Sequence, residues 1–117
     1  MSATTLSSHA VRRLSDAMER SDIDARGIAR ILDKDPKTVT RWLKRDTVPR
    51  WDTREKLLAL DVVLERLANV IEPSAAEDWL FTPVPDLDYE RPADLVRNGD
   101  HRRVLALIDA LGAGVFA

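Results

Sequence analysis

Four cationic side chains recur at helical spacing within residues 35–45, which read "DPKTVTRWLKR". At about 100° per residue, the cationic positions fall on one side of a helix and an apolar set falls on the other. The cations are Lys37, Arg41, Lys44 and Arg45, and the apolar residues are Val39, Trp42 and Leu43. A guanidinium group donates paired hydrogen bonds to phosphate or to the edge of guanine, and an ammonium group binds phosphate as a point charge. The pattern predicts a short helix whose outer face can bind nucleic acid.

The charge of the chain is divided unevenly between its two halves. Residues 1–50 carry 11 Lys or Arg against 7 Asp or Glu, whereas residues 51–117 carry 7 against 13. This asymmetry predicts two surfaces with different partners. The sequence pI of 5.7 argues against a protein that coats nucleic acid without selectivity, because such binding grows with the number of phosphates neutralised. One local basic face is still compatible with it.

The composition is that of a helical globular protein. Of the 117 residues, 44% are hydrophobic, 32% are charged and only 5% are aromatic, which leaves little for a β-sandwich. The chain has no cysteine, so a disulfide framework and a thiolate metal site are excluded. The first twenty residues contain no apolar signal-peptide core, and no apolar run approaches the length of a membrane span. We therefore expect a cytoplasmic location.

Apolar periodicity predicts an all-α fold. The predicted helices cover 9–20, 24–32, 36–45, 53–71, 74–81 and 100–111, with a further helical turn that opens at Pro92 and ends at Gly99. Candidate N-caps are Asp22 or Asp24 for the second helix, Asp35 for the third, Asp52 or Thr53 for the fourth and Asp100 for the last. Four of the six prolines lie in 72–92, which predicts an extended connection after the helix at 74–81.

The second and third predicted helices resemble the helix-turn-helix of Xre-type repressors. Two positions depart from that pattern: Asp33 replaces the usual glycine of the turn, and Lys34 replaces an apolar residue. Asp tolerates the left-handed conformation better than most residues, so the turn can form. The predicted DNA contacts are Lys37, Thr38, Arg41, Lys44, Arg45 and Arg50. The alternative is a solvated basic face on a helix-turn-helix that does not bind DNA. Trp42 and Trp51 are predicted to pack in the core and between domains.

The longest periodic segment, 53–71, carries an apolar seam with alternating spacings of three and four residues. Its members are Leu57, Leu60, Leu64, Leu67 and Ile71. Because Leu58, Val62 and Val63 widen the seam, and because a helix-turn-helix usually works as a symmetric pair, we predict that the seam is a dimer interface. The alternative is a central helix buried within one chain.

The C-terminal part carries a more specific pattern. It has a Trp and paired prolines in "EDWLFTPVPDLDYE", then "RPADLVRNG", then "RRVLALIDAL", and finally a short Gly-containing apolar end. This pattern is similar to the C-terminal domain of the MbcA/ParS/Xre toxin-binding antitoxins. The resemblance implies a RES-domain toxin that destroys NAD as partner, with the end of the antitoxin blocking the toxin's active-site cleft.

The predicted toxin contacts follow from that resemblance and from the chemistry of the C-terminus. They are Trp79, Arg102, Arg103, Gly114, Val115, Phe116 and Ala117. Glycines let the chain leave the last helix, and an apolar tip with a terminal carboxylate can enter a nucleotide pocket. The alternatives are a frayed terminus and, for the two arginines, a solvated face.

The predicted organisation is a helix-turn-helix region at 1–52, a linking and dimerisation helix at 53–73 and a toxin-binding domain at 74–117. An enzyme is not expected, because His9 and His101 are the only histidines and neither lies near a catalytic or metal-binding pattern. No cofactor is expected. The predicted partners are a RES-domain toxin, operator DNA and a second copy of the chain, in a homodimer or a higher assembly with the toxin, without a membrane. The alternative function is a transcriptional regulator that has no toxin partner.

Overall fold

A computed structural model describes residues 2–114 of the chain. The described residues form seven α-helices and no strand, so the predicted all-α class is confirmed. The helices are α1 (Ala3–Ser21), α2 (Ala25–Leu32), α3 (Pro36–Leu43), α4 (Trp51–Leu67), α5 (Ala76–Leu80), α6 (Pro92–Arg97) and α7 (His101–Gly112), with short 3-10 turns at Pro73–Ala75 and Pro85–Leu87. Within this part of the chain, none of the helices combines the length and the apolar character needed to cross a bilayer.

Helix α1 begins earlier than the apolar pattern indicates. The predicted start was residue 9, but Ser2 caps the helix by accepting a hydrogen bond from the backbone N–H of Thr5 at 3.1 Å. Ala10, Leu14 and Ala17 are buried along the face that packs against α4. The segment before residue 9 has few large apolar side chains, and the serine cap decides where the helix starts.

The turn between α2 and α3 forms as predicted, with three aspartates in distinct roles. Asp24 caps α2 by accepting from the N–H of Gly27 at 2.9 Å, and Asp35 caps α3. Asp33 adopts a left-handed conformation with φ 56°, and the N–H of Lys34 closes the turn on the carbonyl of Ala29 at 2.8 Å. An aspartate therefore takes the position that glycine usually fills.

Helix α4 starts before the predicted caps and ends before the predicted end. Its N-cap position is Arg50, without a side-chain cap, so the assignment of Asp52 or Thr53 as the cap is wrong. The carboxylate of Asp52 instead accepts from the N–H of Thr53 at 2.9 Å inside the first turn. At the other end, the chain tightens into turns after Leu67, so residues 68–71 lie outside the helix.

The assignment of the α4 seam to a dimer interface is wrong. Leu57, Leu60, Leu64 and Leu67 are 0–1% exposed within a single chain, so they have no surface left for a second copy. Ile71 is half-buried against the same core. The alternative, a central helix buried by its own chain, is the correct one. The widening of the seam by Leu58 and Val63 reflects neighbours on several sides, because α4 contacts α1, α6 and α7.

The C-terminal segments pack on α4 in the order that the sequence predicts. A 3-10 turn and the short helix α5 occupy the predicted 74–81, and α6 opens at Pro92. Gly99 follows α6 with φ 83°, as the end of that turn requires. Asp100 occupies the N-cap position of α7, but its side chain makes no cap hydrogen bond.

One hydrophobic cluster runs through all three predicted regions. It joins side chains of α1 to α3, of α4 and of α5 to α7. Helix α2 also packs against α6. The guanidinium carbon of Arg30 in α2 lies 3.7 Å from the ring centroid of Phe81, which directly follows α5, a cation–π contact between the two halves of the molecule. The proposed division into domains at 52/53 and 73/74 therefore crosses a shared core.

Candidate functional site

The cationic face of α3 is positioned by the packing of its opposite face. Val39 and Trp42 are 0% and 4% exposed, and they hold α3 against α1 and α2. Asp35 accepts a hydrogen bond from the backbone N–H of Lys37 at 2.8 Å, which fixes the first turn. The outward residues are Lys37, Arg41 and Lys44, which are exposed, and Thr38, which is half-buried. The predicted rotation of α3 is confirmed, whereas contact with DNA stays a prediction.

The last cations of the predicted helix lie beyond its observed end. Helix α3 ends at Leu43, and Arg45 adopts a φ of 65° in the turn that follows. The N–H of Arg45 donates to the carbonyl of Trp42, and the N–H of Asp46 donates to the carbonyl of Arg41, both at 3.0 Å. The predicted helical bounds 36–45 are therefore too long, because this left-handed turn terminates the helix. Arg45 is exposed in the turn.

One cation of this surface, Arg26, is not among the residues predicted from the sequence. A groove runs between the start of α2 and the outer face of α3 and is lined in part by Arg26, Lys37 and Arg41. Arg26 lies two positions after the cap residue Asp24 and is exposed. Apolar periodicity in α2 does not select this residue. The signal that could have identified Arg26 is that the N-terminal turn of α2 lies beside α3 in a helix-turn-helix.

Six cations in and near this groove form no ion pair among residues 2–114, although Asp46 also lines the groove. None of them has a carboxylate oxygen within 4.0 Å among residues 2–114. The set consists of Arg26, Lys37, Arg41, Lys44, Arg45 and Arg50. Unpaired surface cations create a positive potential and can bind an anion without first breaking an internal ion pair. We call this set the cationic surface.

The two tryptophans near the cationic surface behave differently. Trp42 is buried in the core as predicted, but Trp51 is 68% exposed, so its prediction as a packing residue is wrong. Trp51 is the first residue of α4, and its side chain is not part of the buried seam formed by the leucines of that helix. Val48 beside it is also exposed, at 43%.

In the C-terminal half, the motif "RPADLVRNG" folds into a short helix held by ion pairs. Arg91 donates to both carboxylate oxygens of Asp94, at 2.8 and 3.0 Å, and Arg97 also donates to Asp94. The hydrogen bond from Arg91 is the main reason why the pKa of Asp94 lies below its ordinary value. The N–H of Asp100 closes the helix end on the carbonyl of Leu95 at 2.8 Å.

The predicted toxin-contact residues with described positions are spread over α5, α7 and the end of the chain. Trp79 is half-buried against the core on α5. Arg102 is exposed on α7, whereas Arg103 is partly covered. Gly114 is exposed with φ 73°, and a Cβ there would meet nothing within 4 Å. Val115, Phe116 and Ala117 lie outside the described residues.

Arg103 is bound within the chain by three carboxylates. Its guanidinium lies 3.2 Å from Asp100, 3.3 Å from Asp88 and 3.3 Å from Glu90. The hydrogen bond to Asp100 is the main cause of the raised pKa of Arg103. Arg103 therefore ties the start of α7 to the loop before α6.

That loop contains an exposed aromatic residue that the sequence analysis did not select. Tyr89 is 73% exposed and has a φ of 63°, directly after Asp88 with a φ of 57°. Consecutive left-handed residues without glycine are uncommon, and a bulky side chain makes the conformation costly. No local pattern distinguishes this tyrosine in the sequence, since only the backbone conformation sets it apart.

The described residues include neither a cluster of metal ligands nor a catalytic grouping around the histidines. Among residues 2–114, no three acidic or histidine side chains are arranged to hold a metal ion. His9 lies exposed on α1 and His101 lies half-buried at the start of α7. The candidate site consists of two surfaces: the cationic surface around α3, and the C-terminal surface around α5 to α7.

Three comparisons with known proteins agree with this arrangement. The model of the family described as "Antitoxin Xre/MbcA/ParS C-terminal toxin-binding domain" matches residues 60–114. The chain is 40% identical over 103 residues to the mycobacterial cidal antitoxin MbcA of Mycobacterium tuberculosis and of Mycobacterium bovis, an alignment that spans 88% of this chain and 91% of the relative.

A solved structure resembles the whole fold. The crystal structure of the M. tuberculosis MbcT–MbcA toxin–antitoxin complex contains a chain with a TM-score of 0.80 and 38% identity to this one, and the match covers 92% of this chain and 96% of that chain. The chain therefore belongs to the Xre/MbcA/ParS family of antitoxins. The resemblance drawn from the C-terminal motif is confirmed, and the role of the chain is that of an antitoxin in a toxin–antitoxin system.

Proposed function

We propose that this antitoxin neutralises a RES-domain toxin that degrades NAD, by covering the toxin's active-site cleft with its C-terminal domain and tail. The observation that carries the proposal is the near-complete structural match to an antitoxin chain solved in a toxin–antitoxin complex. The resemblance of the C-terminal motif to this family supplies the class of toxin. The antitoxin acts by occupying a site, without a cofactor or catalytic group of its own.

The tail has the chemistry needed to block a nucleotide pocket. Gly114 has a left-handed φ of 73° after the end of α7, a conformation that glycine adopts without strain. Val115 and Phe116 supply apolar side chains of the kind that fill a pocket in a partner.

Removal of Val115 to Ala117 is expected to restore NAD degradation by the bound toxin. The truncation removes no residue of the described core, so helices and DNA binding remain. NAD turnover by the toxin is measured with full-length and truncated antitoxin at concentrations that saturate binding. Circular dichroism and co-sedimentation verify that the truncated chain is folded and bound.

The two results separate two modes of inhibition. NAD turnover in the truncated complex supports the tail as the blocking element. Full inhibition by the truncated chain shows that the helical surface blocks the cleft, and the role of the tail is then withdrawn. Phe116→Ala refines the result: we expect weaker complex formation by about 1 to 4 kcal/mol if the ring fills a pocket.

We also propose that the chain represses its own operon through the cationic surface, in the cytoplasm, where operator DNA is present. The supporting observation is that no member of the cationic surface has a carboxylate oxygen within 4.0 Å among the described residues. Such a surface binds phosphates, and arginine can also read guanine. Gel-shift titration on the DNA upstream of the operon tests the proposal.

A dimer on DNA is part of this proposal, since a helix-turn-helix usually occupies two half-sites as a symmetric pair. The contact between the two copies must use a surface other than the α4 seam, because that seam is buried. Sedimentation of the free antitoxin and of its DNA complex gives the number of copies. A regulator without a toxin partner is the competing reading, and it requires that no RES-domain protein is encoded beside this chain.

A further inference from the structure

Tyr89 combines high exposure with a costly backbone. It is the most exposed of the large hydrophobic side chains in residues 2–114, at 73%. Its φ of 63° follows the φ of 57° at Asp88. A left-handed conformation brings Cβ of a non-glycine residue close to the backbone carbonyl oxygen, so the sequence retains a strained tyrosine where glycine fits without cost. A side chain with so little contact inside its own chain does not compensate that strain by packing.

The turn that carries Tyr89 is held rigidly. The N–H of Tyr89 donates to the carbonyl of Val84 at 2.9 Å, and the N–H of Val84 donates to the carbonyl of Glu90 at 3.2 Å. From α7, Arg103 contacts Asp88 and Glu90, one on each side of the tyrosine, at 3.3 Å each. The ring is therefore presented from a fixed backbone, and little backbone entropy is lost when it binds a partner.

The geometry points to Tyr89 as an anchor of the interface with the toxin, inserted into a recess of the toxin that is rimmed by Lys or Arg. This inference rests on the proposed function. Tyr89 lies inside residues 60–114, which match the toxin-binding domain of the family. The side chain of Asp88 is 91% exposed and that of Glu90 is 47% exposed, so the surroundings of the ring are acidic and complement a basic rim.

A shallow groove adjoins this turn and continues the same surface. It lies between the Pro85–Leu87 turn and α7 and is lined by Asp86, Leu87, Arg103, Ala106, Leu107 and Ala110. Small side chains on the exposed face of α7 let a partner approach the helix closely. Leu87 and Arg103 belong both to the groove and to the surroundings of the Tyr89 turn, so a partner that contacts the ring can extend its contact into the groove, with the aromatic side chain as the anchor.

The decisive variant is Tyr89→Gly, because it removes the ring and relieves the backbone strain at once. A merely structural role predicts an unchanged or stabilised protein with unchanged affinity. The anchor role predicts an unchanged or higher melting temperature together with an affinity for the toxin that falls about tenfold or more. Tyr89→Phe keeps the ring and should retain most of the affinity. Trp51→Ala is the matched control, since it removes an exposed aromatic outside residues 60–114.

Affinity is measured by titrating each antitoxin variant against the purified RES-domain toxin encoded beside it, with inhibition of NAD turnover as a second readout. Equal affinity of Tyr89→Gly and wild type overturns the inference, and so does an equal loss with Trp51→Ala. A change confined to the sedimentation of free antitoxin also overturns it, because the ring then contacts a second copy of this chain. Wild-type antitoxin that neither binds nor inhibits the toxin overturns the proposed function itself, whereas inhibition that is insensitive to Tyr89→Gly overturns the anchor alone.

Discussion

Around α3, exposed cations have no carboxylate within 4.0 Å among residues 2–114, whereas between residues 91 and 103 three of the four arginines are bound by carboxylates of the same half. Arg91 lies 2.8 Å from Asp94 and Arg103 lies 3.2 Å from Asp100. The cations around α3 are thus left without an internal ion pair. The paired arginines instead hold a turn, a short helix and the start of α7 in one arrangement.

Under the proposed function, this difference suits a chain of net charge −2 to two partners of opposite sign. Unpaired cations attract a polyanion over a distance and make binding dependent on salt. Internal pairs contribute little long-range attraction, but they fix the shape of a surface before the partner arrives. Around Arg103 the carboxylates lie further out than the guanidinium, since the side chains of Asp88, Glu90 and Asp100 are 91%, 47% and 45% exposed against 37% for Arg103. That surface suits a basic protein and repels DNA.

The largest effect is expected from disrupting the core that both regions share. Leu64 is 1% exposed and belongs to the hydrophobic cluster that joins all seven helices. Leu64→Glu places a charge there without a partner, so we expect a loss of several kcal/mol and an unfolded or aggregated chain. Thermal unfolding followed by circular dichroism measures the effect.

The same experiment decides whether the two regions are separate folding units. Glu65→Gln changes an exposed side chain one residue further along α4 and serves as the control with little expected effect. If Leu64→Glu abolishes toxin binding but leaves a folded helix-turn-helix that still binds DNA, the view of one shared core is contradicted. Loss of both activities together supports it.

Two substitutions on the cationic surface are expected to affect operator binding in different ways. Arg41→Ala should weaken operator binding by about 1 to 3 kcal/mol and relax sequence preference if the guanidinium reads a base. Lys44→Ala should mainly lower the slope of affinity against salt by about one. Gel-shift titrations at several salt concentrations measure both effects.

Arg91→Ala is the control on the paired side of the comparison. It removes one positive charge of a guanidinium already bound to Asp94, so it should destabilise α6 while operator binding stays unchanged. Unchanged DNA binding by an Arg41 and Lys44 double variant would exclude α3 as the contact surface. An equal loss with Arg91→Ala would mean that net charge alone sets the affinity.

Local chemistry explains which parts of the fold were predictable. Asp24 and Asp35 cap their helices as expected, and Asp33 adopts the left-handed turn, because each depends on neighbours within a few residues. Burial of the α4 seam by its own chain was not predictable, since periodicity shows that a face is apolar and does not show whether the same chain or a second copy covers it. The early start of α1 followed from a cap at Ser2 that precedes the apolar pattern.

The candidate site divides in the same way. The outward direction of Lys37 and Arg41 follows from helical spacing, and the C-terminal surface follows from the family resemblance. Arg26 was not predicted as a site residue, because its role depends on where α2 lies beside α3. Tyr89 was not predicted either, because only its φ of 63° distinguishes it. The exposure of Trp51 could not be read from a tryptophan at the start of an apolar segment.

The last prediction concerns the weakest effect, the contribution of the Asp94 pairs to stability. The hydrogen bond from Arg91, followed by that from Arg97, keeps the pKa of Asp94 below its ordinary value. A carboxyl whose pKa is lowered by folding adds stability above the unfolded pKa and loses it as the pH falls through the folded pKa. Asp94→Asn should therefore cost about 1 kcal/mol at pH 7, and the difference from wild type should narrow below about pH 4.

Thermal unfolding of wild type and Asp94→Asn between pH 7 and pH 3 measures how their difference in stability depends on pH. Asp109→Asn is the matched control: its pair with Arg66 spans 3.1 Å, but the carboxyl is 61% exposed, so water already screens it and the expected cost is near zero. A cost for Asp94→Asn that stays constant down to pH 3 contradicts the role of the ionised carboxylate. An equal loss of stability in Asp109→Asn contradicts the distinction between ion pairs that stabilise the C-terminal surface and exposed ion pairs that add no stability.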